Sequence, residues 1–165
     1  MSFGPKAEKL RRQVLSGLSM TLWMWKTLPL AAFAGLRVSR LDEEGCSVRL
    51  PGGWRTQNPF RSTYFGAQAM AAEMSTGAPA LVLVADATAS VAMLVVGLEA
   101  GFSKKAVGET VFTCEDLPGM RAAIEAAAAS SEPRTFVARS IGRDAAGDEV
   151  AAFEITWSFK RRSTG

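Results

Sequence analysis

The stretch that most restricts how this chain can fold is residues 65–77, FGAQAMAAEMSTG. Nearly every side chain there is small or apolar, and a lone carboxylate, Glu73, stands in the middle. As a helix, the segment is a slender rod, because Gly66, Ala67, Ala69, Ala71 and Ala72 present little bulk. A slender rod lets a sheet approach closely. Gly66, Met70, Glu73 and Gly77 recur at steps of four, three and four, so a helix aligns them in one stripe. Burying a carboxylate is costly unless something pairs with it, and that cost makes Glu73 the first functional clue.

The rest of the chain supplies a sheet. Leu10, Val14, Leu18 and Leu22 recur at steps of four and predict a helix over residues 6–27, which Pro29 ends or restarts. Residues 35–54 alternate on both sides of a turn at 42–45, a hairpin pattern, and residues 51–62 form a loop dense in turn formers. The central helix starts near Thr63, with Ser62 or Thr63 as its cap, and runs to about Gly77, where Gly77 and Pro79 supply a stop. Residues 80–90, ALVLVADATAS, read as a strand or as a further helical turn leading into one. Two β-rich runs flank a turn near 106–108. Residues 118–130 suit a short alanine-rich helix, and residues 133–162 close the chain as a long hairpin with its turn at 144–147. One helix cannot cover both faces of so many strands, so the expected class is α+β, an antiparallel sheet curled around the central helix, with an extra N-terminal helix. Exposed sheet edges predict a homodimer or homotetramer.

Composition narrows the chemistry. The 165 residues include no histidine, which excludes Ser-His-Asp and Cys-His triads and histidine-ligated metal. Acid–base work falls to carboxylates, Tyr64, lysine or water, and neither a metal nor a cofactor is expected. Cys46 and Cys114 lack CxxC spacing and read as reduced, buried thiols of a cytoplasmic protein. The net charge of +3 suits an anionic small molecule, and without a Lys/Arg block interleaved with aromatics no nucleic-acid partner is expected. Residues 9–35 imitate a secretory signal, but Lys26 and Pro29 interrupt the apolar run and leave it too short to span a bilayer. The expected arrangement is an amphipathic helix docked on the body, with no membrane partner. A membrane-associated scaffold using Trp23 and Trp25 is a further reading.

The stretch 58–77, NPFRSTYFGAQAMAAEMSTG, resembles the hotdog thioesterases of the phenylacetate-degradation type. Those carry an asparagine, then a His-Gly-Gly turn opening the helix, then Asp or Glu seven residues after the second glycine. Here Asn58 stands eight residues before Gly66, and Glu73 seven after it. Residues 98–115, LEAGFSKKAVGETVFTCE, look like the family's strand pair, and residues 139–157 look like its closing hairpin. The resemblance implies a hotdog domain over residues 35–160, while the residues themselves predict an N-terminal helical segment over 1–34 packed on it and a frayed tail over 161–165. The family's histidine and one glycine are absent, replaced by Tyr64-Phe65 before Gly66.

The resemblance implies hydrolysis of an acyl-CoA thioester. The Gly66 N–H and the positive end of the helix dipole would stabilise the oxyanion. Glu73 would activate water or attack directly, and Asn58 would orient the water or bond Glu73. Coenzyme A would enter as part of the substrate. Arg61, Lys104, Lys105, Arg139 and Arg143 are candidates for its phosphates. Tyr64 at the mouth and Phe60, Phe65, Met70 and Met74 as an apolar slot are candidates for the acyl group. Ser75 and Thr76 are placed to bond Glu73 or water, or a backbone carbonyl. The alternative is a non-enzymatic acyl-CoA or lipid-binding protein of the same fold.

Overall fold

Both hairpins form where their turn residues stand. In the computed structural model, which describes residues 3–163, β1 (Arg37–Leu41) and β2 (Cys46–Leu50) pair antiparallel. Between them Asp42 Oδ1 accepts the N–H groups of Glu44 and Gly45 at 3.0 and 2.9 Å, the side-chain-to-backbone bond that makes Asp a turn former. β3 (Val91–Phe102), β4 (Thr110–Cys114), β5 (Arg134–Asp144) and β6 (Glu149–Arg161) follow. The β5–β6 turn places Gly147 at φ 88°, a conformation glycine adopts without steric cost. The sheet order is β1-β2-β4-β5-β6-β3, antiparallel throughout. β3 and β4 are consecutive in the chain yet not paired with each other. β3 lies on the outer edge against β6, and residues 103–109 carry the chain across to β4.

Among the described residues five helices accompany the sheet: α1 (Pro5–Leu15), α2 (Gly17–Thr27), α3 (Pro29–Ala34), α4 (Phe65–Ala85) and α5 (Leu117–Ala128). The helix predicted over residues 6–27 is broken at Ser16, whose ψ of 106° is extended. A Ser-Gly pair is a weak point in a helix. The break changes which face is buried: Val14 is buried, Leu18 and Leu22 are exposed, and Met20 and Met24 take over the inward side. α1 packs on α4 and β1. Its N-terminus is held from afar, because Asp86 accepts the N–H groups of Gly4 and, at 2.9 Å, Ala7.

The central helix, α4, is longer than predicted. It passes through Gly77 and Pro79 and takes in residues 80–85. Burial explains the difference: Ala80 and Val82 are fully buried and Leu83 nearly so, and burying side chains of this kind gains roughly 1.5–3 kcal/mol each for valine or leucine. That outweighs the local preference to stop. Nor does Ser62 or Thr63 cap it. Tyr64 is the N-cap residue, with no side-chain cap bond, while the buried Gln68 donates to the Thr63 carbonyl at 3.2 Å. α4 packs across β2, β4, β5 and β6, and the core between them holds Phe112, Phe153, Ile155 and Phe159. α5 lies beside α4 against β5 and β6. Cys46 and Cys114 are directly opposed on β2 and β4 as buried free thiols, and burial pushes the Cys114 thiol up to about 12.

Candidate functional site

Glu73 lies on α4 where that helix faces α1, α2 and β3. It borders an apolar cavity of about 300 Å³ whose walls include Leu10, Val14, Trp23, Met74, Leu81 and Met93. Removal from water is the one cause that shifts its titration, and it pushes the pKa up. Its carboxylate has no hydrogen bond or ion pair among the described residues. The desolvation cost is therefore left without electrostatic compensation, a condition met more often at functional than at structural carboxylates.

The small residues next to Glu73 make its position possible. A methyl group on Gly77 would lie 2.9 Å from Glu73 Oε1 and 3.1 Å from Cζ2 of Trp157. The Trp157 Nε1–H donates to Thr76 Oγ1 at 3.0 Å, and Thr76 Oγ1 donates to the Glu73 carbonyl at 3.0 Å. Thr76 thus bonds backbone rather than the Glu73 carboxylate. Ser75 likewise donates to the Ala72 carbonyl at 2.8 Å and meets Ser140 Oγ at 2.7 Å. The indole bracing of α4 by Trp157 left no sequence signal beyond an aromatic on an alternating strand.

A second hollow, of about 390 Å³, lies at the start of α4 and collects Asn58, Phe65, Gln68, Lys104 and Lys105. Asn58 Oδ1 there accepts from the N–H groups of Phe60 and Ser62 and from Ser62 Oγ, at 2.9, 3.2 and 3.1 Å. These bonds shape the loop and do not reach Glu73. Lys104 is held by Asp144 and Asp148 at 2.7 and 2.6 Å. Arg61 is exposed with φ 58°. Tyr64 and Phe65 are exposed, with ring centroids 4.7 Å apart, and the Tyr64 ring sits close over Gly66. Met70 is half-buried. Arg139 is exposed, and Arg143 leans on Glu149 at 3.6 Å. Gly66 and Glu73 are seven residues apart on one helix, about 10 Å along its axis. A single chain therefore brings Asn58, Phe65, Lys104 and Lys105 together at one hollow and Glu73 and Met74 at another.

A profile described as a domain of unknown function, DUF4442, matches residues 19–159. No curated protein matches the chain. Several solved structures are similar. One is a Pseudomonas aeruginosa protein of unknown function, called a probable thioesterase, with 20% identity over 88% of this chain and 96% of that one and a TM-score of 0.71. Another is a thioesterase from Haemophilus influenzae, with 12% identity, 88% and 91% coverage and a TM-score of 0.65. A third is a glutamine-to-alanine variant of a Pseudomonas aeruginosa thioesterase, with 15% identity, 96% of each chain and a TM-score of 0.67. At such identities the likeness establishes the fold: a six-stranded antiparallel sheet around a central helix, the hotdog architecture.

Proposed function

The chain belongs to the DUF4442 family, and we propose that it hydrolyses the thioester of an acyl-CoA or a related carrier, working as a homodimer or homotetramer. One observation carries the reading: Glu73 is a desolvated carboxylate without a partner among the described residues, on the wall of an apolar cavity. In the reaction Glu73 takes a proton from water as the water oxygen attacks the thioester carbonyl carbon. The C–S bond then breaks and the departing thiolate takes a proton. A raised pKa makes the carboxylate a stronger base near neutral pH.

The oxyanion would be met by the Gly66 N–H at the start of α4. Since Gly66 and Glu73 of one chain lie about 10 Å apart along the helix axis, the two would meet one substrate when a second copy supplies one of them. Edge strand β3 favours such pairing, because its Leu94, Val96 and Leu98 are exposed and no strand among the described residues pairs with its far side. Tyr64, Phe65 and Met70 would meet the acyl or pantetheine portion, and Arg61 and Lys105 the phosphates, with Lys104 joining if its bonds to Asp144 and Asp148 open. Asn58 would act by fixing the loop that precedes Gly66. Placement among the phenylacetate-degradation enzymes rests on the Asn58–Gly66–Glu73 spacing.

A screen of acyl-CoA chain lengths with thiol release as readout tests the reading. Glu73→Gln should lower kcat by about a hundredfold or more, the usual range for loss of a general base, while a non-hydrolysable thioester analogue still binds. A second reading, acyl-CoA or lipid binding without turnover, draws on the Tyr64 ring that covers Gly66. Wild-type protein that binds the analogue and hydrolyses nothing would favour it.

A further inference from the structure

α2 is apolar on two sides. Met20 and Met24, four apart, are buried against the body. Leu18, Leu22 and Trp25, at steps of four and three, form a second stripe facing out, with Leu18 76% and Leu22 63% exposed. α3 follows directly after Leu28 and adds exposed Leu30 and Phe33, and Phe33 stands edge-on to exposed Trp54 with centroids 5.8 Å apart. A helix of a globular protein ordinarily turns its polar side to water, so a second apolar stripe on the outer side is unusual, and a concentration of large exposed apolar side chains marks a contact surface.

The charges indicate what covers it. Between Glu8 and Asp42 the chain has no acidic residue. Lys26, Arg37 and Arg55 are exposed in this region and form no ion pair among the described residues. The acid that lines the adjoining hollow, Glu109, is already held by Arg49 at 2.8 Å. A second copy of this face would set like charges together, which is unfavourable. An anionic bilayer surface answers both features, taking apolar side chains at the acyl boundary and cations at the phosphates. Trp25 and Trp54 suit that boundary because an indole is apolar in body and polar at its N–H.

We propose that the α2–α3 face docks peripherally on an anionic lipid bilayer. No helix among the described residues is long and apolar enough to cross one; the contact is with the surface. This docking runs against the expectation of no membrane partner and takes up the further reading of a membrane-associated scaffold, with Trp25 on the outer face and Trp23 on the wall of the cavity. It also extends beyond the hydrolase reading, since α2 contributes Met20 and Trp23 to the wall of the Glu73 cavity and docking would bring that cavity beside the acyl layer.

The full chain, without substrate, is sedimented with phosphatidylglycerol-containing vesicles and with pure phosphatidylcholine vesicles. The expected result is binding to the anionic vesicles that weakens with salt, together with a blue shift of tryptophan emission. Leu22→Glu, at an exposed position, should lower the partition coefficient roughly tenfold or more. Lys26→Glu should lower it roughly fivefold or more. Circular dichroism checks that both variants fold. Three outcomes would each overturn the proposal: wild-type protein that stays in the supernatant, a folded Leu22→Glu and a folded Lys26→Glu that bind as wild type does, or a lower molecular mass for Leu22→Glu without vesicles, which would make the face a contact between copies. None depends on whether a thioester is hydrolysed.

Discussion

Gly77→Ala probes the packing around the acid. In an exposed helix interior this change stabilises by about 1 kcal/mol, because alanine is the better helix former. Here the added methyl would meet Glu73 Oε1 at 2.9 Å and the Trp157 ring carbons Cζ2 and Cη2 at 3.1 and 3.2 Å. Glu73 can yield by swinging into the cavity. Trp157 cannot yield as cheaply, since it is 4% exposed and bonded through Nε1 to Thr76, a bond worth about 1 kcal/mol. Overpacking a filled site costs typically about 1–3 kcal/mol. Set against the propensity gain, the change should destabilise by about 0–2 kcal/mol. Urea denaturation followed by circular dichroism measures it. Trp157→Phe removes the two ring carbons that clash, so in that background Gly77→Ala should turn stabilising. A full gain of about 1 kcal/mol in the wild-type background would refute the argument that glycine is kept here for room.

The half-buried, desolvated acid also sets a pH dependence. Its folded-state pKa lies above the ordinary value of 4.5, so folding is penalised once Glu73 ionises. The stability held below the ordinary carboxyl range is lost as pH rises through the folded pKa. Glu73→Gln should therefore melt higher than wild type at about pH 8, with the advantage gone near pH 4; the reverse order in a thermal scan would contradict the burial of this carboxylate. Asp86→Ala removes the acceptor for two N–H groups at the start of α1 and should cost about 0.5–2 kcal/mol, the usual worth of a cap. Amide exchange should speed up across residues 5–15 and stay unchanged in β4–β6, whereas unchanged exchange in α1 would dismiss the tie.

What was legible in the sequence was mostly local. The turns at Asp42 and Asp144 bond their own neighbouring N–H groups, so a few residues suffice to specify them. The slender helix and the oddness of Glu73 were readable because side-chain size and charge need no partner to be noticed. The length of α4 was not, since Pro79 and Gly77 argue locally for a stop and the burial of Val82 and Leu83 is settled by a sheet formed later in the chain. The break at Ser16 misled for a related reason: a period of four fits one continuous helix, and a small change in phase moves Leu18 and Leu22 from the inside to the outside. The separation of β3 from β4 is a matter of sheet order, and alternation says nothing about order. Asp86 reaches α1 across 79 to 82 positions, and no short-range pattern reports it.

The acid and the residues that keep water from it are encoded far apart. Leu10, Val14 and Trp23 wall the cavity from the first two helices, while Glu73 rides on the fourth. A clone that began at residue 35 would keep the residues of every strand and of α4, yet it would lose the side chains that stand between Glu73 and water on that side. Trimming the front of this protein for expression would remove the wall of the cavity together with the buried Ala7, Val14, Met20 and Met24 of the core.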